Sequence, residues 1–246
     1  MKMILNERQH AEEALEYGKM DKKPTKTLVC IAKLCLEEGK SKSDTYNVLH
    51  EFMAKSYPNY NTVHWESFFY RVIHQATRYI KTREERGKKS LIEIEHVSIT
   101  HKELNQIREL RSKRLEKLAF VLLVYSKINN QIHENNLYWI NHAWSEIYSD
   151  TGMAVSKKDQ GLLVYKLIHS GLLKESRRFD STSVQVLFAH PEDAIAIRLT
   201  RFDDFILEYL RWTGETVKDC SVCGKRVLAK SNRLKYCKNC KKKLGK

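Results

Sequence analysis

Cys220-Ser221-Val222-Cys223-Gly224-Lys225 and, after thirteen residues between Cys223 and Cys237, Cys237-Lys238-Asn239-Cys240 are two copies of one pattern, a cysteine pair separated by two residues. Two intervening residues let the backbone wrap one face of a metal ion, and a glycine after the second cysteine supplies the freedom such tight turns use. Four soft thiolates complete the tetrahedral shell that Zn²⁺ prefers, so Cys220, Cys223, Cys237 and Cys240 are the expected ligands of one structural zinc. A full set of four protein ligands leaves no open position for water, which disfavours catalysis by the metal. So short an element has little core of its own, and its folding is expected to depend on the ion.

The same segment holds most of the chain's charge. The formal net charge is +14 over 246 residues. From Lys218 to Lys246 eleven Lys/Arg stand against the single acid Asp219, a net of +10 in 29 residues, leaving +4 on the other 217. Four thiolates and one Zn²⁺ would bring the segment to +8, still a strong field for polyanions. Lys225, Arg226, Lys230, Arg233, Lys235 and Tyr236 lie between or beside the cysteine pairs, and Lys241, Lys242 and Lys243 follow them. Basic residues interleaved with one aromatic suit phosphate contact with optional base stacking, giving affinity without much sequence choice.

Upstream, the chain reads as mainly α. Three prolines and nine glycines in 246 residues are sparse punctuation, and 42 % hydrophobic residues suffice for a sizeable core. Helices are expected over Leu5–Met20, stopped near Gly18, over Thr25–Glu38, stopped by Gly39, over Ser43–Ser56, and over Tyr60–Lys81. In the last of these Trp65, Phe68, Phe69, Val72, Ile73 and Ala76 form a buried stripe, while Arg71, His74, Arg78 and Lys81 share the solvated side. Cys30 and Cys35 are five apart, off a common helix face, and read as small core residues. Lys81–Ser90 is polar with a glycine and is the best linker, so the expected modules are residues 1–85, 91–214 and 218–246.

In the second module Leu91–Ile99 reads as a strand, and Thr100 with Glu103 forms a capping-box signal for a long helix over His101–Ile128. That helix is apolar nearly all round from Leu118 to Val124. A middle helix over Leu137–Ser149, a turn at Asp150-Thr151-Gly152, and a helix over Ser156–Ser170 with Ser156 as N-cap come next. Strands at Leu172–Ser176 and Val184–Phe188 flank a hairpin tip at Arg177–Ser183, and Pro191–Gly214 reads as helical.

This order, from Thr100 to Ala189, resembles a winged helix, in which the helix before the hairpin enters a major groove and the hairpin tip lies along the backbone. The resemblance implies base or phosphate contacts for Lys157, Lys158 and Gln160 at the helix start, and phosphate or minor-groove contacts for Arg177 and Arg178 at the tip. Winged helices also serve as protein-interaction modules. The ribbon series Cys-Gly-Lys, Lys-Ser-Asn-Arg, Lys-Tyr-Cys over Cys220–Lys243 resembles small zinc-ribbon proteins of phages and mobile elements of Gram-positive bacteria. That likeness implies a phage or prophage setting and brings no activity with it.

No P-loop, dinucleotide glycine motif or nucleophile elbow appears. His50-Glu51 and His133-Glu134 lack the second histidine of His-Glu-x-x-His, and Asp203-Asp204 lacks a partner motif for metal-dependent cleavage, so no enzyme is expected. Met1–Asn6 runs directly into a charged stretch, and the longest apolar run, Leu118–Tyr125, is far short of a bilayer span, which places the expected site of action in the cytoplasm and away from membranes. The expected partner is nucleic acid, DNA ahead of RNA, in a regulatory or replication role. The other reading is a factor docking on a host or phage machine such as a polymerase or a defence complex.

Overall fold

The computed structural model describes residues 3–21, 24–176, 183–229, 231 and 234–245. The chain divides into two compact units, Met3–Glu95 and a second from His96 onward that includes the cysteine ribbon. Helices hold about 54 % of the described residues beside small antiparallel sheets, so the fold is mixed α and β and not plainly mainly α.

The first unit is built from α1 (Glu7–Tyr17), α2 (Pro24–Glu37), α3 (Lys42–Ser56) and α4 (Thr62–Glu84). Their ends follow local chemistry. The Asn6 side chain caps α1 by accepting from the Gln9 amide at 2.9 Å, and Ser41 with Asp44 closes a capping box on α3. Gly18 ends α1 at φ +64°, where a Cβ would come within 3.1 Å of Ser56 Oγ, so this position suits glycine on two counts. Leu28, Ile31, Cys30 and Cys35 of α2 meet Phe69, Val72, Ile73 and Ala76 of α4 in one core. Trp65 and Phe68 pack at its edge, half-buried.

Beyond the polar 81–90 stretch the chain returns to the first unit. Leu91 is buried in its core, Ile94 N–H donates to the Leu5 carbonyl at 2.8 Å, and Asn6 bridges Glu93. The buried Lys33 ammonium pairs with Glu7 at 2.6 Å and lies 3.5 Å from the Tyr79 ring centroid; the second Glu7 oxygen accepts from Ile92 N–H at 2.9 Å. One satisfied ion pair thus ties α2 to α1 and to the returning segment, as burying a charge requires.

The second unit is organised by α6 (Lys113–His133), whose residues Leu118 to Ile128 are all buried. An apolar surface all round must be covered on all sides. It is covered by α5 (His101–Glu109), α7 (Trp144–Asp150), α8 (Lys157–His169), α9 (Ile206–Trp212) and strands of two sheets. One sheet pairs β1 (Val97–Thr100) with β5 (Ile195–Leu199), and the other orders β2 (Trp139–Ile140), β4 (Val184–Val186) and β3 (Leu173–Glu175) as β2-β4-β3, all antiparallel. The capping box of Thr100 and Glu103 forms as expected at the start of α5.

Four sequence expectations are corrected here. The single helix over His101–Ile128 is two, α5 and α6, broken where Arg111 adopts φ +48° and Ser112 turns extended. Leu137–Ser149 is not one helix: Trp139 and Ile140 pair with Gln185 and Val184, and only Trp144–Asp150 is helical. Ile195–Leu199 is a strand bound to β1, leaving α9 as the only helix in the described stretch 191–214. The strand expected over Leu91–Ile99 is confined to Val97–Thr100. In the three strand cases a short apolar run took the structure its distant partner offered, which periodicity within the run does not report. Of the hairpin tip expected over Arg177–Ser183, residues 177–182 lie outside the described residues.

Candidate metal centre

The ribbon is a hairpin followed by a short helix. Strands β6 (Val217–Asp219) and β7 (Arg226–Leu228) pair Val217 with Leu228 and Asp219 with Arg226. Between them the Cys220–Lys225 knuckle closes on itself, with Gly224 N–H donating to the Cys220 carbonyl at 2.8 Å and Cys220 N–H to the Lys225 carbonyl at 2.9 Å. Gly224 makes that turn at φ +66°, which is why a glycine follows the second cysteine. The second pair sits at the start of α10 (Lys238–Lys243), where Cys237 Sγ caps the helix by accepting from Cys240 N–H at 3.4 Å. Ser221 joins the two halves, its N–H donating to the Lys235 carbonyl at 3.0 Å.

All four sulfurs lie within 4.8 Å of one another. Bonds of about 2.3 Å from a tetrahedral ion place its ligand sulfurs about 3.8 Å apart, and Cys223 Sγ and Cys237 Sγ are 3.8 Å apart. Cys220, Cys237 and Cys240 are buried and Cys223 is exposed. The cluster therefore fits a metal ion such as zinc, held by Cys220, Cys223, Cys237 and Cys240. Backbone N–H groups of Cys237, Val222 and Cys223 turned toward Cys220 pull its thiol down to about 6, and the amide of Cys240 lowers Cys237 in the same way. Cys240 moves the other way, up to about 12, through hydrogen bonds with the crowded sulfurs of Cys223 and Cys237. A cation at the centre removes that crowding cost.

The ribbon is anchored to its unit by charge. Arg226 Nη1 donates to Glu208 Oε1 on α9 at 2.7 Å, and Nη2 donates to the Arg201 carbonyl at 3.1 Å and to the Asp203 carbonyl. Its side chain is only 4 % exposed. Arg201 reaches back to the Gly224 carbonyl at 3.1 Å, and Lys225 pairs with Asp204 at 3.2 Å.

These placements sort the cations picked out in the sequence. Arg226 is an anchor, its charge met by Glu208, and does not stand among the exposed cations. Lys235, Lys241, Lys242 and Lys243 are exposed, while Tyr236 is half-buried and packs on the sulfur cluster. Lys157 and Lys158 are exposed on the first turn of α8, with Ser156 as the expected N-cap. Gln160 is half-buried and its Nε2 donates to the Val155 carbonyl at 3.2 Å. Arg177, Arg178, Lys230 and Arg233 lie outside the described residues. The docking acids Asp203, Asp204 and Glu208 carry a function that motif reading passed over. Their signal was an acidic stretch ahead of a segment almost without acids.

Arg226→Ala should loosen this attachment. Leaving two carbonyls without their donor, and the Glu208 carboxylate with Arg211 alone, is expected to cost about 1–3 kcal/mol. The check is the rate at which a chelator withdraws the metal, which should rise while metal stoichiometry before challenge stays unchanged; an unaltered rate would mean the hairpin holds without the anchor.

A stretch of 92 residues, 36 % of this chain, is 36 % identical to the DNA-directed RNA polymerase YonO of Bacillus phage SPbeta. The matched stretch is 11 % of that polymerase, so the relation concerns a small part of the larger protein. No protein-family model matches the chain, and no solved structure matches it. Among the described residues no helix is long and apolar enough to cross a membrane.

Proposed function

We propose that this chain is a nucleic-acid-binding protein of phage or mobile-element type, with duplex DNA as its preferred partner and one structural Zn²⁺ ordering its basic ribbon. The observation that carries the reading is the cysteine tetrad itself, set in the most cation-dense segment of the chain and fastened to a folded unit through Arg226. A fixed array of ammonium groups neutralises phosphates and releases their counterions, which yields affinity with little dependence on sequence. The phage polymerase relative, by its name, works on DNA, and supports the same setting. The reading assigns the chain no catalytic step.

A winged helix is the proposed second contact. It is supported by the succession α6, β2, α7, α8, β3, β4 and by the sheet order β2-β4-β3, which puts the β3–β4 hairpin directly after α8. In that frame Lys157 and Lys158 meet the duplex at the helix start; Arg177 and Arg178, the contacts expected of the hairpin tip, lie outside the described residues.

A second reading has an observation of its own. Leu162 and Tyr165 are exposed on α8 at 49 % and 61 %, in line with Lys158 and His169 at helical spacing. That face could instead dock on a protein partner such as a polymerase.

A salt titration separates the two. With DNA, log affinity should fall linearly with log salt concentration, and replacing Lys241, Lys242 and Lys243 by Gln should flatten the slope by up to about 0.9 for each phosphate left without its lysine. A slope unchanged by the triple substitution would remove the helix α10 lysines from the interface. Failure to retain duplex, single strand or RNA at low salt would overturn the nucleic-acid reading in favour of protein docking.

A further inference from the structure

Against the ribbon lies an open cleft of about 630 Å³, within the range of about 300–1,000 Å³ typical of small-ligand sites. One wall is Ile206 and Leu207 at the start of α9, with Gly152 of the α7–α8 turn beside them; the other is the ribbon face of Val227, Leu234 and Tyr236. Lys225, bridged to Asp204, and Lys238 stand at the rim with the amide side chain of Asn239. Leu207, Val227, Leu234 and Tyr236 are all half-buried, so the cleft presents apolar surface that folding has left partly uncovered.

An apolar slot within a field of lysines matches a ligand that is apolar and planar at one end and anionic at the other. A nucleotide has that chemistry: the base packs between apolar walls, and its flanking phosphates meet the ammonium groups. Charge favours it over an acidic peptide. Lys225 and Lys238 line the cleft, Lys235, Lys241, Lys242 and Lys243 are exposed elsewhere on the ribbon, and a nucleic-acid strand supplies one anion at every step.

We propose that this cleft receives an unpaired base of a nucleic-acid strand, with Leu207 and Leu234 against its faces, Tyr236 beside it and Lys225 and Lys238 on the adjoining phosphates. The inference rests on the nucleic-acid reading above and adds to it a place for a base left unpaired in, or turned out of, the bound duplex. The ribbon then acts as a second jaw against α9, and its docking through Arg226 sets the width of the slot.

The test uses the full-length, zinc-loaded chain and a single-stranded deoxyoligonucleotide carrying one 2-aminopurine, whose emission reports stacking of that base. Binding should change the emission, and Leu207→Glu and Leu234→Glu should each weaken single-strand affinity by about tenfold, the scale on which packing of one base counts. Zinc content and far-ultraviolet circular dichroism establish that the variants are folded, and the parent's emission change needs no variant at all. Salt-dependent duplex binding by the parent is recorded alongside. Duplex binding with flat 2-aminopurine emission, or folded variants that bind the strand as the parent does, would overturn the cleft and leave the general reading standing. No binding of either nucleic acid would overturn both. A Glu-rich peptide with a central leucine should fail to displace the probe; displacement at lower concentration than unlabelled oligonucleotide would assign the cleft to a protein segment.

Discussion

Withdrawing the metal from the purified chain should unfold the ribbon while the α-helical remainder of its unit stays folded. Amide resonances of the described residues between Val217 and Gly245 are expected to collapse to disordered positions, and those of α6 to persist. The hairpin has two short strands, three residue pairs in register, and a core consisting of three buried cysteines with Val227 and Tyr236 packed against them. Such a core cannot offset the chain entropy of about 30 residues, at roughly 1–2 kcal/mol for each backbone, unless the ion supplies the difference. Single Cys220→Ser or Cys240→Ser substitutions should therefore weaken metal binding by more than about 100-fold, since even a supporting hydrogen-bond partner of a ligand is worth about 10–100-fold. Purified protein without stoichiometric zinc, its ribbon amides nonetheless dispersed, would defeat the proposal that a metal orders this segment.

The second large effect is expected far from the ribbon, at the buried pair of Lys127 and Glu103. Glu103 is fully buried and accepts from Thr100 N–H at 2.8 Å and His190 N–H at 2.7 Å, while Lys127 Nζ donates to Glu103 and to the Ser98 carbonyl, each at 2.7 Å. Four segments of the second unit thus meet at one carboxylate: the end of β1, the start of α5, the middle of α6 and the stretch before β5. Burial holds the Lys127 ammonium below its ordinary value despite the opposing pull of Glu103. Lys127→Met leaves the carboxylate without its counter-charge and should cost about 3–5 kcal/mol in denaturant unfolding, a large share of the stability of an ordinary domain. Pairing Lys127→Met with Glu103→Gln should recover much of that loss, because the desolvation cost of both charges goes with them. Additive losses in the double variant would show that the two side chains do not act as a pair.

How much of this was legible in the residues depends on how far apart the interacting groups stand. Caps and stops act across three or four residues: Thr100 with Glu103, Ser156 before α8 and Gly18 after α1 could be read in place, and the structure has them where they were expected. The same holds for the two cysteine pairs, each a local turn. The docking of the ribbon was not legible, because Arg226 and its acceptors at 201, 203 and 208 meet only after the chain has folded back, and a basic residue among basic residues carries no mark that it will be buried.

The amino-acid sequence by itself determined the helices of the first unit, the burial of the middle of α6 and the gathering of four thiols in a cation-rich terminus, since each follows from chemistry repeated at short spacing. Only the tertiary structure decided that Val97–Thr100 pairs with Ile195–Leu199 across nearly a hundred residues, that Trp139 and Ile140 join a sheet, and that Arg226 faces inward. A strand's hydrogen bonds and a buried charge's partner both belong to another part of the chain, so their placement is settled by the fold that brings those parts together.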